Sequence, residues 1–185
     1  MKEKTNKGLS KFLSLVLRHK PETIGISLDS NGWVKVSILL KALNKNSKNI
    51  DRQLLEEIVN TNDKKRFAFN EDKTMIRASQ GHSVDIDLGL KPIIPPEQLF
   101  HGTASKNADS IFSSGLQKRG RNHVHLSLDK ETAVKVGMRH GTPVVLTIMS
   151  GDMHRDGIKF YLSENGVYLV DAVDMKYIRF INSGI

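Results

Sequence analysis

Leu88-Gly89-Leu90-Lys91-Pro92-Ile93-Ile94-Pro95-Pro96 is the stretch that divides this sequence into two folded regions. It contains three of the five prolines in the 185-residue chain. Because proline lacks a backbone N–H and restricts the residue before it, such a density of prolines is typical of an extended connection. We therefore predict a linker over residues 85–97, an N-terminal domain over residues 1–84 and a C-terminal domain over residues 98–185.

The N-terminal region has the pattern of several helices followed by a hairpin. Apolar residues recur at helical spacing over residues 9–17, and Pro21 forbids continuation past Lys20. Residues 24–28 alternate as in a short strand and precede a turn at residues 29–32. Further signals predict helices over residues 37–43 and from the N-cap Asp51 to Val59, then a hairpin of residues 66–69 and 75–78. This order is typical of a winged-helix domain, although a fold alone does not prove nucleic-acid binding.

The C-terminal region contains short strand patterns interspersed with two helices. The strands are predicted at residues 99–100, 124–126, 144–148, 166–170 and 178–181, and the helices near residues 106–112 and 130–136. Together the two regions predict an α+β protein.

Charge is concentrated in the N-terminal half. Residues 1–80 carry 16 basic and 9 acidic side chains, whereas residues 81–185 carry 12 and 11, and the whole chain is +8. Such an excess favours a polyanionic partner, although a solvated lysine surface is the plain alternative. The absence of cysteine excludes disulfides and thiolate chemistry. Because no apolar run is long enough to cross a bilayer, we expect a cytoplasmic protein without a membrane partner.

Three short motifs contain residues that could act in chemistry. Phe100-His101-Gly102-Thr103 reads as a glycine-containing strand-to-helix turn, which is either a simple turn or a place where backbone N–H groups meet a ligand. Arg18-His19-Lys20 ends a helix, either as a cap or as a phosphate clamp. The run Asp63-Lys64-Lys65-Arg66 is by default a solvated charge run.

A fourth motif, Arg121 to Ser127, is the one whose polar residues gather on a single face of a strand. Strand alternation places Val124 and Leu126 on one face and the polar residues Arg121, His123, His125 and Ser127 on the other. A metal site of two histidines completed by His101 is the alternative, but no carboxylate is nearby in sequence. The pattern therefore favours an anion or nucleotide site.

Seven fragments, in order along the chain, together resemble the NAD-dependent RNA 2'-phosphotransferase family, in particular its bacterial members. The fragments are Leu9-Ser10-Lys11 with Leu17-Arg18-His19, Asn62-Asp63-Lys64-Lys65-Arg66-Phe67, Gln80-Gly81-His82-Ser83, His101-Gly102-Thr103, Arg121-Asn122-His123-Val124-His125-Leu126-Ser127, Gly137-Met138-Arg139 and Asn165-Gly166-Val167-Tyr168-Leu169. The match covers nearly the whole chain. Because all seven fragments occur in the order and spacing of the family, it is highly specific.

The resemblance implies a winged-helix lobe joined to a mixed α/β ADP-ribosyltransferase lobe, with RNA phosphate and NAD meeting in the cleft between them. The family's four essential positions, to which it implies catalytic roles, fall on Arg18, His19, Arg66 and Arg121. Its histidine, histidine and valine signature falls on His101, His125 and Val167, and Gly102, Thr103 and Ser127 join the implied NAD pocket. Contacts to RNA or dinucleotide phosphates are implied for Gln80, His82, Ser83 and Arg139, whereas Arg77, Lys64 and His140 are surface charge by default.

The activity that the resemblance implies has two steps and belongs to RNA processing such as tRNA splicing. The RNA 2'-phosphate attacks the anomeric carbon of the nicotinamide ribose, and nicotinamide leaves. The ribose 2''-hydroxyl then attacks phosphorus, which frees the RNA and gives ADP-ribose 1'',2''-cyclic phosphate. We expect the three arginines to neutralise the phosphate and His19 to move a proton in the second step. No metal and no obligate protein partner are expected.

Two alternatives stay open from sequence. The first is an ADP-ribosyltransferase that stops after one step and modifies a nucleic-acid phosphate or a protein. The second is a winged-helix nucleic-acid-binding module without activity, which the intact set Arg18, His19, Arg66 and Arg121 argues against.

Overall fold

The computed structural model describes residues 2–62 and 64–180, with side chains from residue 6 onward. Asp63 and Ile181, which belong to a predicted motif and a predicted strand, lie outside the described residues. The chain forms two compact units, Met1–Gly89 and Leu90–Ile185. Helices and small antiparallel sheets alternate along the chain, which confirms the α+β class. Within the described residues, no helix combines the length and the apolar character needed to cross a bilayer.

Among its described residues, the first unit contains three α-helices, a 3-10 helix and a small sheet. Its elements in chain order are α1 (Lys2–Arg18), a 3-10 helix (Pro21–Ile24), β1 (Val34–Lys35), α2 (Val36–Lys45), α3 (Arg52–Asn60), β2 (Phe67–Phe69) and β3 (Met75–Ala78). The strands pair antiparallel in the order β1-β3-β2. The predicted hairpin and the Asp51 N-cap are confirmed, since the Asp51 carboxylate accepts a hydrogen bond from the Leu54 N–H at 2.7 Å.

The short strand predicted over residues 24–28 is wrong. Residues Pro21–Ile24 form a 3-10 helix, and Gly25 follows it in the left-handed region with a φ of 68°. Ile24 and Ile26 are both buried, at 7% and 5% exposure. Their alternation therefore comes from packing into a core and not from strand pairing, because periodicity over so few residues does not distinguish the two.

The core of the first unit fixes the carboxyl end of α1. Leu13, Val16 and Leu17 of α1 are fully buried against apolar residues of the other helices and the sheet, among them Leu39 and Ile76. Complete burial of one such side chain contributes about 1.5–3 kcal/mol. The residues that follow Leu17 therefore leave the core from a well-fixed point.

The second unit contains two main sheets and three helices among the described residues. Its elements are β4 (Pro92–Ile93), β5 (Leu99–Ala104), a 3-10 helix (Ser105–Asn107), α4 (Ala108–Ser114), β6 (Leu116–Gln117), β7 (Val124–Leu126), α5 (Lys130–Gly137), β8 (Pro143–Ile148), α6 (Ser150–Arg155), β9 (Phe160–Leu162), β10 (Tyr168–Val170), β11 (Ala172–Val173), a 3-10 helix (Met175–Tyr177) and β12 (Ile178–Phe180). One sheet has the order β4-β9-β10-β7, another the order β12-β8-β5, and β11 pairs with β6.

Part of the proline-rich segment is a strand of the second unit. Pro92 and Ile93 pair antiparallel with Tyr161 and Phe160 of β9, at the edge of their sheet. Proline is tolerated at an edge because its missing N–H interrupts no inner ladder. The division between the two units, at Gly89 and Leu90, lies within the predicted segment 85–97.

Candidate active site

The carboxyl end of α1 places Arg18 and His19 beside a loop from the far end of the unit. Arg18 is the last residue of α1, and its Nη2 donates to the carbonyl oxygen of Arg66 at 3.3 Å. Arg66 in turn points its Nη1 at the Oδ1 of Asn62, 3.4 Å away. The Arg18 side chain thus contacts the backbone of Arg66, 48 residues away in sequence, and His19 is next in the chain.

The segment from Ser79 to Val84 closes around this arginine pair. The Ser79 N–H donates to the Arg66 carbonyl at 2.9 Å, and the Ser83 N–H donates to the Arg18 carbonyl at 2.9 Å. The Ser83 hydroxyl lies 2.9 Å from Nδ1 of His19. Gly81 has a φ of 84°, and an added Cβ there would be in ordinary van der Waals contact with Arg18, 3.4 Å from its Nη1. The loop therefore fixes the backbone of Arg18 and Arg66 and one face of His19.

His82 lies beneath this loop and not on its surface. It is 2% exposed, and among the described residues its Nε2 has no hydrogen-bond partner. Burial, followed by the charges of Arg18, His19 and Arg77, lowers the pKa of His82 to about 4. A neutral, buried imidazole supports the loop from within, and this geometry does not favour direct contact with RNA. Gln80, two residues earlier, is half-buried.

In the second unit His101 occupies the middle of strand β5. Its Nδ1 lies 3.0 Å from the carbonyl oxygen of His125, and because a carbonyl only accepts, Nδ1 carries the proton. Burial lowers the pKa of His101, the hydrogen bond to His125 opposes that shift, and the charge of Arg121 adds to it. His101 is therefore a neutral imidazole whose Nε2 bears the lone pair.

His125 has the opposite tautomer. Its Nδ1 lies 3.2 Å from Nη1 of Arg121, and because a guanidinium has no acceptor, Nδ1 is the acceptor and Nε2 carries the proton. The predicted alternation is confirmed, since Val124 and Leu126 are buried while His125 is half-buried. The second unit thus brings together an acceptor nitrogen, a donor nitrogen and a guanidinium.

Ser127 and Val167 lie at the same end of the paired strands, because Ser127 follows β7 and Val167 precedes the antiparallel β10. The backbone of Ser127 exchanges two hydrogen bonds with Phe100, at 2.7 and 2.9 Å, which joins β5 to the end of β7. Val167 precedes β10, whose Leu169 pairs with His125. Both side chains are half-buried. Arg139, by contrast, is exposed just beyond the end of α5.

The strand-to-helix turn predicted at His101-Gly102-Thr103 is wrong, because these residues lie inside β5 and pair with Leu146, Val145 and Val144 of β8. Gly102 is needed for a different reason. A Cβ there would lie 1.7 Å from the carbonyl oxygen of Ala133, so α5 packs directly on the backbone of the strand. Thr103 is buried, and its hydroxyl accepts a hydrogen bond from Asn107 at 3.1 Å.

Asn62 is a site residue that sequence reasoning did not single out. Its Nδ2 donates to the Ser10 hydroxyl at 2.9 Å, and its Oδ1 accepts from the Lys64 N–H at 3.2 Å and from Arg66. The sequence does contain a signal for this contact. An asparagine side chain often accepts a hydrogen bond from the backbone N–H two residues later, in an Asx turn.

Two further features bear on the kind of ligand. Across residues 2–62 and 64–180, no group of three or more His, Asp or Glu side chains is placed to hold a metal ion. An open groove of about 360 Å³ on the first unit is lined in part by Glu22, Asp29 and Asp85. That acidic lining does not suit an anion, whereas the arginine pair does.

Comparison with known proteins agrees with this arrangement. The family model described as RNA 2'-phosphotransferase, Tpt1 / KptA family, matches residues 4–172. A probable RNA 2'-phosphotransferase of Flavobacterium johnsoniae is 58% identical over 97% of this chain and 99% of its own length. Relatives with the same description from Fusobacterium nucleatum and Hahella chejuensis are each 51% identical, over 93% and 98% of this chain and 97% of their own lengths. The resemblance is confirmed, and this chain belongs to the RNA 2'-phosphotransferase, Tpt1 / KptA family.

Proposed function

We propose that this protein removes a 2'-phosphate from RNA by transferring it to NAD. The observation that carries the proposal is the contact of the Arg18 guanidinium with the backbone of Arg66, with His19 next in the chain, in the unit with the larger positive charge. Guanidinium groups present fixed pairs of N–H donors that match phosphate oxygens. A compact dianion such as a 2'-phosphate is the ligand that suits this cluster.

The proposal assigns each unit a lobe of the family. For the first unit, the order α1-β1-α2-α3-β2-β3 with an antiparallel three-stranded sheet supports a winged-helix domain. For the second unit, the paired histidines on β5 and β7 support an ADP-ribosyltransferase-like domain that holds NAD. Each assignment rests on topology and residue placement together.

The histidine pair can hold a ribose through complementary hydrogen bonds. Nε2 of His101 accepts, so it suits a ribose hydroxyl, whereas Nε2–H of His125 donates and suits a ribose or phosphate oxygen. Val167 supplies an apolar neighbour at the position where many protein-modifying ADP-ribosyltransferases have a glutamate. A general base is unnecessary in the first step, because a 2'-phosphate is already largely anionic at neutral pH.

The second step requires charge neutralisation and one proton transfer. When the ribose 2''-hydroxyl attacks phosphorus, the new O–P bond forms as the bond from phosphorus to the RNA 2'-oxygen breaks. The departing oxygen takes a proton, which we assign to His19, while the hydroxyl loses one to solvent. Arg18, Arg66 and Arg121 then stabilise the charge that builds on the phosphoryl oxygens, usually the largest catalytic term.

The test is incubation of the purified protein with a short RNA carrying one internal 2'-phosphate, with and without NAD, followed by mass analysis. We expect loss of the phosphate only with NAD, together with ADP-ribose cyclic phosphate. The same RNA with a 2'-hydroxyl is the control and should be unchanged. RNA that retains an added ADP-ribose would instead indicate a one-step transferase, and RNA unchanged in both reactions would indicate a binding module.

A further inference from the structure

The side chain of Ser83 adjoins the one imidazole to which the proposed reaction gives a proton transfer. Its hydroxyl is 2.9 Å from Nδ1 of His19, although the two residues are 64 apart in sequence. His19 is exposed, so packing does not hold its ring. Ser83 is exposed as well, but its side chain is short, its N–H donates to the Arg18 carbonyl and the neighbouring His82 is buried. The hydroxyl is therefore the better-fixed member of the pair.

We infer that Ser83 is a positioning residue, whose hydroxyl keeps the His19 imidazole in one orientation through both of its protonation states. A serine hydroxyl can donate and accept. Its oxygen accepts from Nδ1–H of the imidazolium, and it accepts from the same Nδ1–H in the neutral ring that remains after Nε2 has given up its proton.

The consequence for the reaction is that Nε2 is the nitrogen that gives and regains the proton. In the imidazolium, Nε2–H donates to the departing RNA oxygen, and the neutral ring then takes a proton from solvent without turning over. This part of the inference rests on the proposed function. It also gives Ser83 a role other than the direct RNA contact expected from the resemblance.

Ser83→Ala isolates the hydroxyl, because alanine keeps the backbone N–H that binds the Arg18 carbonyl. Ser83→Thr restores a hydroxyl, and Ser30→Ala removes an exposed hydroxyl that donates to the side chain of its neighbour Asn31 at 3.4 Å. In nitrogen-15 spectra of the full chain, loss of signals in His19→Asn identifies the His19 ring. We expect Ser83→Ala to shift the Nδ1 resonance, and the threonine variant and the Ser30 control to leave it close to the wild-type position.

In single-turnover assays with 2'-phosphorylated RNA and NAD, we expect Ser83→Ala to slow the second step about five-fold, the effect of losing one uncharged hydrogen bond. The RNA–phospho–ADP-ribose intermediate should then accumulate while its formation is unchanged, and Ser83→Thr should restore the rate. An unmoved Nδ1 signal, or equal slowing of both steps, would overturn the inference. Absence of phosphate transfer by the wild type would overturn the proposed function instead, whereas the spectra, recorded without RNA or NAD, still decide the contact.

Discussion

The two units hold their functional side chains by different means. In the first, Arg18 is the last residue of α1 and Arg66 directly precedes β2, and a loop binds the backbone carbonyls of both. In the second, His101 and His125 lie within paired strands, and a helix packs on the backbone beside them. Side chains at the end of an element can be changed with little effect on the core, whereas a strand centre serves both fold and site. Substitutions of these side chains in the first unit should therefore lower activity without lowering stability. Substitutions at the strand centres of the second unit should lower both.

The largest expected effect tests the first half of this comparison. Arg18→Lys keeps a positive charge but loses the planar pair of donors, so we expect at least a ~100-fold loss of phosphate removal. The melting temperature should stay near that of the wild type, because the loop binds the Arg18 backbone carbonyl, which lysine keeps. The assay is the NAD-dependent loss of the 2'-phosphate under single turnover.

Arg52→Lys is the matched control. Arg52 is an exposed arginine of the same unit, paired with Glu56 on α3. This variant should remove phosphate at the wild-type rate. Equal losses in the two variants, or unfolding of Arg18→Lys, would contradict the separation of site and core.

The second prediction concerns the strand centre of the second unit. Gly102→Ala would place a Cβ 1.7 Å from the Ala133 carbonyl oxygen, so strand and helix must move apart, at a cost of about 3 kcal/mol or more in unfolding free energy. All three tyrosines lie in this unit and the single tryptophan, Trp33, lies in the other, so their signals report the units separately during urea unfolding.

Gly120→Ala is the control for this prediction, since an added Cβ there meets no atom within 4 Å. Its tyrosine transition should match the wild type. If Gly102→Ala unfolded at the wild-type urea concentration, the close approach of α5 to β5 would be wrong.

Sequence patterns predicted the elements whose signals are local. Helix periodicity over residues 9–17, the Asp51 cap and the alternation around His125 all correspond to observed structure. The sequence patterns gave wrong or no predictions where tertiary packing determines the structure. Ile24 and Ile26 alternate because a core receives them, and the paired strands β4, β6 and β11 have only two residues each, too few for any period.

The site shows the same limit. Nothing local relates Arg18 to Arg66, or His19 to Ser83, because loops of the fold bring them together. The family resemblance supplied the essential positions, but it could not distinguish buried His82 from exposed Ser83, two adjacent residues to which it gave one role. Burial separates them because adjacent loop residues can point to opposite sides.

The third prediction is that the buried His82 makes the stability of the first unit depend on pH. Its pKa is about 4 in the folded chain and near the ordinary value of 6.5 when unfolded, so below pH 6.5 the unfolded state binds more protons. The contribution of His82 to the free energy of unfolding is therefore fully present above pH 6.5. It declines as the pH falls towards 4, and the loss at pH 5 is about 2 kcal/mol.

Urea unfolding followed by Trp33 fluorescence at pH 7 and pH 5 measures this decline in the first unit. His82→Gln, which cannot titrate, should flatten the dependence whatever its stability at pH 7. If the glutamine variant lost as much stability as the wild type between these pH values, the neutral buried imidazole would be excluded as the cause.

The smallest expected effect comes from a variant that separates the two roles of His101. Its Nδ1 supports the fold through the His125 carbonyl, and its Nε2 is proposed to bind the nucleotide. In His101→Asn the amide Nδ2 replaces Nδ1 as donor to the His125 carbonyl, while the acceptor Nε2 is lost. We expect an increase of about ten-fold in the KM for NAD, the effect of one ligand hydrogen bond, with little loss of stability. His101→Ala removes both contacts and should lower stability as well. Because burial keeps the pKa of His101 below its usual value, the wild-type KM should hold steady as the pH falls from about 8 towards about 6.5. Wild-type affinity in His101→Asn would mean that Nε2 does not face the nucleotide, and would leave His101 as a sheet residue alone.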